Sequence, residues 1–432
     1  MSGDHLNLDE DDGPLAYIGM RQVWGGMEAF GILPADRRQH VYCVGKSGTG
    51  KSTLLRNLIL QDIELGHGVG VIDPHGDLAE DILDSIPPWR TNDVVYFNPA
   101  DLDYPVGLNL LQNVPKERRH RIASGVVGAM KAIWQDSWGP RMEYILYAAV
   151  AALLDCQNIS FLAIQRMLAD DVYRLWVVRQ IKDPVVRAFW LEEFANYSPE
   201  FKQAAIAPIQ NKVGQFLMAP PIRNVLGQVK RKMDPRFMMD HRRILIANLS
   251  KGLLGEDKAN LLGSLLVTSF ELAALERASV PESNRQDFYL YIDEFHNFAT
   301  ESFATALGEA RKYRLCLTLS HQYLDQLRPS IRSAVFGNAG TIISFRVGGT
   351  DAKLLAEEFS SSHRAIQFSS LGNYEVVVKM LDEGKYREPF LGRTLAPLHI
   401  RSGRRAVVLR RSREKYASRK SAVEGKIERW MK

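Results

Sequence analysis

The run His40–Leu60, HVYCVGKSGTGKSTLLRNLIL, changes character twice in a short space. It opens on VYCV, an apolar stretch without polar alternation, which suits a strand covered on both faces. From Lys51 onward the apolar side chains recur at helical spacing. Between the two lies Gly45-x4-Gly50-Lys51-Ser52. A glycine-rich turn between a buried strand and a helix aims successive backbone N–H groups at one spot, where a phosphate is cradled by the helix N-terminus. Glycine supplies the torsions and the close backbone approach that side chains would deny. Gly45, Lys46, Ser47, Gly48, Thr49, Gly50, Lys51, Ser52 and Thr53 are therefore expected to wrap nucleotide phosphates. Within that set Lys51 neutralises the β- and γ-oxygens and Ser52 ligates the metal, so the expected cofactors are ATP and Mg2+.

A second stretch, DFYLYIDEFHNF, completes that chemistry. Its apolar strand delivers Asp293 and Glu294 to a C-terminal sheet edge, where ligands bind in open α/β sheets. Asp293 is expected to partner Mg2+, and Glu294 to act as the base that orients and activates water. Gln322 ends the run LCLTLSHQ, where it can sense the γ-phosphate and position water. Arg311, in GEARKYRL, is the candidate arginine finger reaching a neighbouring subunit's nucleotide, with Arg346 after TIISF as its rival. Asp73, in VIDPHGD, is expected to order water around the metal, or Asp77 merely to cap the next helix. His75, His296 and His321 lack metal-ligand spacing and are expected to be structural or supporting.

Further apolar runs recur at VGVID (69–73), VVYF (94–97), ILIAN (244–248) and TIISF (341–345), mostly separated by helical segments. The class is α/β, with a mainly parallel sheet. Between VVYF and ILIAN the strand signal vanishes and helical periodicity takes over, with Pro184 expected to divide one long helical stretch. The expected organisation is an N-terminal segment (1–37, partly disordered), a nucleotide-binding core (38–114 and 241–400), an inserted all-helical domain (115–240) and a basic tail (401–432). The tail is expected to open with a strand, AVVLR, and to end in a helix.

The net charge of +5 hides a division. Residues 401–432 hold 12 Lys/Arg against 3 Asp/Glu, and residues 116–243 hold 20 against 12. The remainder has 23 basic and 35 acidic residues. Basic charge gathered on an insert and a tail suits a polyanion such as DNA, and Lys230, Arg231 and Lys232 are the candidate contacts. No run approaches the roughly 18 apolar residues of a membrane span, and the acidic N-terminus lacks the features of a signal peptide. Cys43, Cys156 and Cys316 are scattered without CxxC spacing, which excludes a disulfide framework or a zinc site and fits a reducing cytoplasm.

The phosphate loop, the long helical insertion, IDEF, ARKY and SHQ, in that order, resemble the HerA–FtsK superfamily of ring-forming DNA pumps. Within it the chain is most similar to the soluble ATPase part of type IV secretion and conjugative coupling proteins and their VirB-type relatives, over roughly residues 38–400. The resemblance implies a RecA-like core, a homohexamer with nucleotide at subunit interfaces and DNA in a central channel. It casts Lys51, Ser52, Asp293, Glu294, Gln322 and Arg311 in the family's roles and the insert as a DNA-touching domain. The expected function is ATP-driven DNA translocation, with no direct membrane span. The alternatives are a secretion-type ATPase serving protein traffic within a secretion machinery, and a nucleotide-dependent ring scaffold for a partner such as a nuclease.

Overall fold

Each apolar run becomes a strand in the computed structural model, which describes residues 14–359 and 365–432. In chain order the strands are β1 (Ala16–Val23), β2 (Gly26–Ile32), β3 (Val41–Val44), β4 (Gly68–Asp73), β5 (Val94–Phe97), β6 (Ile244–Asn248), β7 (Phe288–Ile292), β8 (Leu315–His321), β9 (Thr341–Ser344), β10 (Glu375–Lys379), β11 (Leu381–Asp382), β12 (Lys385–Tyr386) and β13 (Phe390–Thr394). The chain divides into two compact units. The first comprises the described residues of Met1–Val94, Arg236–Ala247 and Ala274–Val408, and the second those of Val95–Pro235, Asn248–Ala273 and Leu409–Lys432.

In the first unit β3 runs parallel between β8 and β9, β7 parallel beside β8, and β4 parallel beside β7. Every residue of β3, β4, β7, β8 and β9 is buried, which is why these strands are apolar almost throughout. Parallel strands all present their C-terminal ends at one edge, so the residues following β3, β7 and β8 converge there. Beyond β9 the sheet turns antiparallel, in the order β9-β10-β13-β1-β2.

Two expectations change here. The segment 1–37, expected to be partly disordered, contributes the hairpin β1–β2 to the sheet, with Val23 opposite Gly26; residues 1–13 lie outside the described residues. Residues 406–410, AVVLR, are not a strand but part of the helix Arg405–Tyr416. Valine favours strands only where a pleated surface receives it, and the surrounding arginines, lysine and glutamate are good helix formers.

The second unit is helical, including Arg119–Ile133, Pro140–Leu153, Asp171–Val178 and Pro199–Met218. Its bounds differ from the expected 115–240: it also holds residues 95–114, 248–273 and the end of the tail, while residues 236–240 fall in the first unit. The long helical stretch is divided near Pro184, the preceding helix ending at Val178. Pro184 starts the helix Pro184–Ala188, capped by the Asp183 carboxylate, which accepts from Val185 N–H at 2.9 Å and Val186 N–H at 3.3 Å. Among the described residues one helical stretch, Glu256–Ser279, is long and apolar enough to cross a membrane, and 72% of its apolar window is buried inside the protein.

Candidate active site

The loop after β3 turns through left-handed torsions at Gly48 (φ 75°) and Gly50 (φ 121°) before the helix Lys51–Glu64 begins. A Cβ on Gly45 would stand 2.5 Å from Phe345 Cβ, so that glycine is required by space. The Lys51 side chain is buried and folds back along the loop, donating to the carbonyls of Gly45 at 2.5 Å and Lys46 at 3.1 Å. Thr49 Oγ1 donates to the Lys46 carbonyl at 2.7 Å, bracing the turn from inside. Gly45 N–H donates to the His321 carbonyl at 3.3 Å and Lys46 N–H to the Arg346 carbonyl at 2.9 Å, which ties the loop to the ends of β8 and β9. Lys46, Ser47, Gly48 and Ser52 are exposed at the loop's outer face. A cavity of about 610 Å3 opens there, lined by Ser52, Thr53, Asp73, Asp293, His399 and Arg401 among others.

Asp293 and Glu294 follow β7 directly. Ile292 lies opposite Leu319 in the parallel register, which sets Asp293 beside Ser320. Ser320 Oγ donates to Asp293 Oδ1 at 2.5 Å, and the same oxygen accepts from Glu294 N–H at 3.1 Å. Burial, with Glu294 and Asp73 nearby, pushes the Asp293 carboxyl up to about 6 despite the Ser320 bond. Glu294 takes a left-handed backbone (φ 46°) that lifts its side chain off the strand line. Its Oε1 accepts from Gln322 Nε2 at 2.9 Å. Its Oε2 is buried without accepting a hydrogen bond, with His296 Nδ1 at 3.4 Å.

A bracing network holds Gln322 in place. Gln326 Oε1 accepts from the N–H groups of Gln322 and Tyr323, both at 3.1 Å, and lies 3.4 Å from His321 Nδ1. His321 Nε2 is 2.5 Å from the Tyr42 hydroxyl. With Nδ1–H directed at the Gln326 oxygen, Nε2 is the acceptor for Tyr42 O–H, so the ring is neutral. Burial lowers its pKa to about 3.

The structure thus brings Lys51, Asp293, Glu294 and Gln322 to one sheet edge. Asp73 itself braces the start of the next helix, which sequence reasoning did not assign to it. The carboxylate accepts from His75 N–H at 2.8 Å and Ala79 N–H at 2.9 Å, holding the start of the helix Asp77–Asp84, although the residue still lines the cavity. Arg311 is elsewhere: exposed, just before β8, at the edge opposite the loop. The Arg346 guanidinium donates to the Leu371 carbonyl at 3.2 Å and to Asn373 Oδ1 at 3.3 Å. Of the basic run in the helical unit, Arg231 pairs with Asp234 at 3.1 Å and Lys232 donates to the Ala417 carbonyl at 2.5 Å. Lys230 is exposed.

Sequence reasoning passed over Ser320, Gln326 and Tyr374. For Ser320 the signal was present: strand period two puts it on the same face as Gln322, toward the two carboxylates.

No protein-family model and no curated protein matches the chain. Solved structures do. The plasmid coupling protein TrwB with a non-hydrolysable ATP analogue is 17% identical, with 85% of this chain and 86% of that one covered and a TM-score of 0.60. TrwB with ADP and Mg2+ gives 15%, 90%, 96% and 0.61 in the same order. VirB4 of Thermoanaerobacter pseudethanolicus is 13% identical, covering 90% of this chain and 98% of that one at a TM-score of 0.61. Such identities speak to fold alone, and this chain shares the fold of the TrwB and VirB4 structures.

Proposed function

We propose that the chain hydrolyses ATP and couples the hydrolysis to movement of DNA, working as a ring of identical subunits in the cytoplasm. The observation that carries the hydrolytic part is the Glu294–Gln322 pair beside the phosphate loop. One carboxylate oxygen is held by the glutamine amide at 2.9 Å, while the other is buried and accepts no hydrogen bond. A buried carboxylate oxygen with only the His296 ring nitrogen nearby, at 3.4 Å, leaves room for a further donor such as water. A water held there is oriented by Glu294 and Gln322 together, and Glu294 receives its proton as the nucleophile forms.

The residues also fit Mg2+ and a nucleotide. Asp293 is a buried carboxyl whose pKa is raised by desolvation beside Glu294 and Asp73, a cost that a divalent cation offsets. Ser52 and Asp293 line one cavity and would hold the metal, which would supply positive charge to offset that of the phosphates. Lys51, now on the loop carbonyls, is placed to exchange those acceptors for phosphate oxygens. The solved structures of TrwB with an ATP analogue, and with ADP and Mg2+, support the same reading.

Geometry also favours action between subunits. Arg311 precedes β8 and the loop follows β3, so the length of the seven-residue strand β8 separates them, roughly 20 Å at strand rise. That exceeds an arginine's reach, so an Arg311 finger would have to act on a neighbour's nucleotide, most simply in a hexamer. DNA is assigned to the exposed basic residues of the helical unit and tail, Lys230 among them; Arg231 and Lys232 have partners within the chain. The buried, unpaired Cys43, Cys156 and Cys316 support the cytoplasmic placement.

The test is ATP turnover of the purified protein with and without duplex or single-stranded DNA. Glu294→Gln should bind ATP but hydrolyse it on the order of 100-fold more slowly or worse, whereas Lys51→Ala should weaken binding itself. Wild-type turnover in Glu294→Gln would overturn the assignment. Turnover insensitive to any DNA would turn the reading toward protein cargo.

A further inference from the structure

Tyr374 stands in a backbone conformation that a bulky residue rarely adopts. Its φ is 68°, in the left-handed region, and such a torsion persists only where the surroundings enforce it. They do so from both sides. The Tyr374 N–H donates to the Thr49 carbonyl of the phosphate loop at 2.8 Å, and the Tyr374 carbonyl accepts from Thr394 N–H at 2.9 Å. A second tie runs through Arg346, whose carbonyl accepts Lys46 N–H while its guanidinium grips Leu371 and Asn373. The turn Leu371–Tyr374 is therefore fastened to the phosphate loop at two points.

That enforced geometry places an aromatic ring over the loop. A Cβ on Gly50 would lie 2.8 Å from Tyr374 Cδ1 and 3.0 Å from Phe345 Cε1. Phe345 is fully buried, as a ring that only packs should be, but Tyr374 remains 37% exposed. An unfavourable torsion, two clamps and a glycine without a side chain combine to hold a partly exposed aromatic ring beside the phosphate loop. Packing alone would be served by a ring in ordinary torsions turned inward.

We propose that Tyr374 is the stacking surface for the base of the nucleotide whose phosphates the loop holds, and that Arg346 positions the turn that aims the ring. The inference rests on the phosphate-loop reading above. It gives Arg346 a task within its own subunit rather than in a neighbour's site. Stacking engages the π-face that every base shares, so the ring adds affinity for nucleotides over bare polyphosphates without choosing between adenine and guanine.

The test compares the binding of ADP, GDP and inorganic pyrophosphate, each with Mg2+, to the full chain by calorimetry. Tyr374→Gly removes the ring and suits the left-handed torsion, so its melting temperature should not fall. It should bind ADP and GDP about ten- to a hundredfold more weakly and pyrophosphate as before. Tyr374→Trp should keep nucleotide affinity, and Lys51→Ala should lose all three ligands. Unchanged ADP affinity in Tyr374→Gly, or an equal loss for ADP and pyrophosphate, would overturn the proposal, the latter showing that the ring only props the loop. A wild-type protein that binds none of the ligands would instead overturn the phosphate-loop reading, and this proposal with it.

Discussion

Gln322 shows how narrowly a single side chain can be committed. Its amide donates to Glu294, its own N–H is held by Gln326, and Gln326 is in turn placed against neutral His321. On the proposed mechanism a side chain held this way acts on the reacting water rather than on ground-state binding, so its loss belongs in turnover. Gln322→Ala is expected to lower kcat of ATP hydrolysis by about 10- to 100-fold with KM changed less than about threefold. Steady-state kinetics at saturating Mg2+ decide this. A rise in KM at constant kcat would make Gln322 a binding residue instead. The commitment of Gln322 was legible in the sequence because its strand ends beside the one that delivers Glu294. The roles of Tyr374 and Gln326 were not, because they depend on a torsion and on a turn that no spacing announces.

Among the elements, the strands that could be read in advance share one property. β3, β4, β7, β8 and β9 are buried at every residue and therefore spell continuous apolar runs. β1, β2 and β13 expose part of their length and mix polar with apolar residues, so the hairpin passed for a loose N-terminal segment. The segment after β13 was equally silent, yet it is pinned to the helix Lys51–Glu64. Buried Asn57 Nδ2 donates to the Ala396 carbonyl at 2.9 Å, and Asn57 Oδ1 accepts from Leu398 N–H at 3.0 Å. Arg56 Nη1 adds a bond to the Leu398 carbonyl at 2.5 Å. Through these contacts the helix that begins at the phosphate loop carries Leu398, His399 and Arg401 to the rim of the cavity. Asn57→Ala leaves backbone groups without partners and should cost about 1–3 kcal/mol of stability. It should also speed tryptic cleavage at exposed Arg401 in limited proteolysis. Cleavage at the wild-type rate would mean that the remaining contacts, from Arg56 and from Ser402 to the Asp84 carbonyl, hold the segment.

For the molecule as a whole, acid should act through a histidine at the edge opposite the phosphate loop. His40 is fully enclosed there: its Nδ1 accepts from Leu317 N–H at 3.2 Å, so its Nε2–H donates to the Leu307 carbonyl at 2.9 Å. Burial, with the Arg311 guanidinium nearby, lowers its pKa from 6.5 to about 4, and the Leu307 carbonyl offsets only part of that. The unfolded chain therefore binds a proton near pH 6.5 that the folded chain refuses until about 4. Stability is complete well above pH 6.5, falls as pH drops through the window between the two values, and levels off below the lower one. A gap of that size, taken from pH 8 to pH 5, amounts to about 2 kcal/mol from this residue. Other buried groups titrate too, so the measurement is a difference: urea unfolding of wild type and of His40→Asn at both pH values. Asparagine tolerates the φ of 63° found at this position. The loss of stability between pH 8 and pH 5 should be about 2 kcal/mol smaller in the variant. Equal losses in the two proteins would show that His40 carries its proton in the folded state, and that the tautomer assigned from Leu317 and Leu307 is wrong.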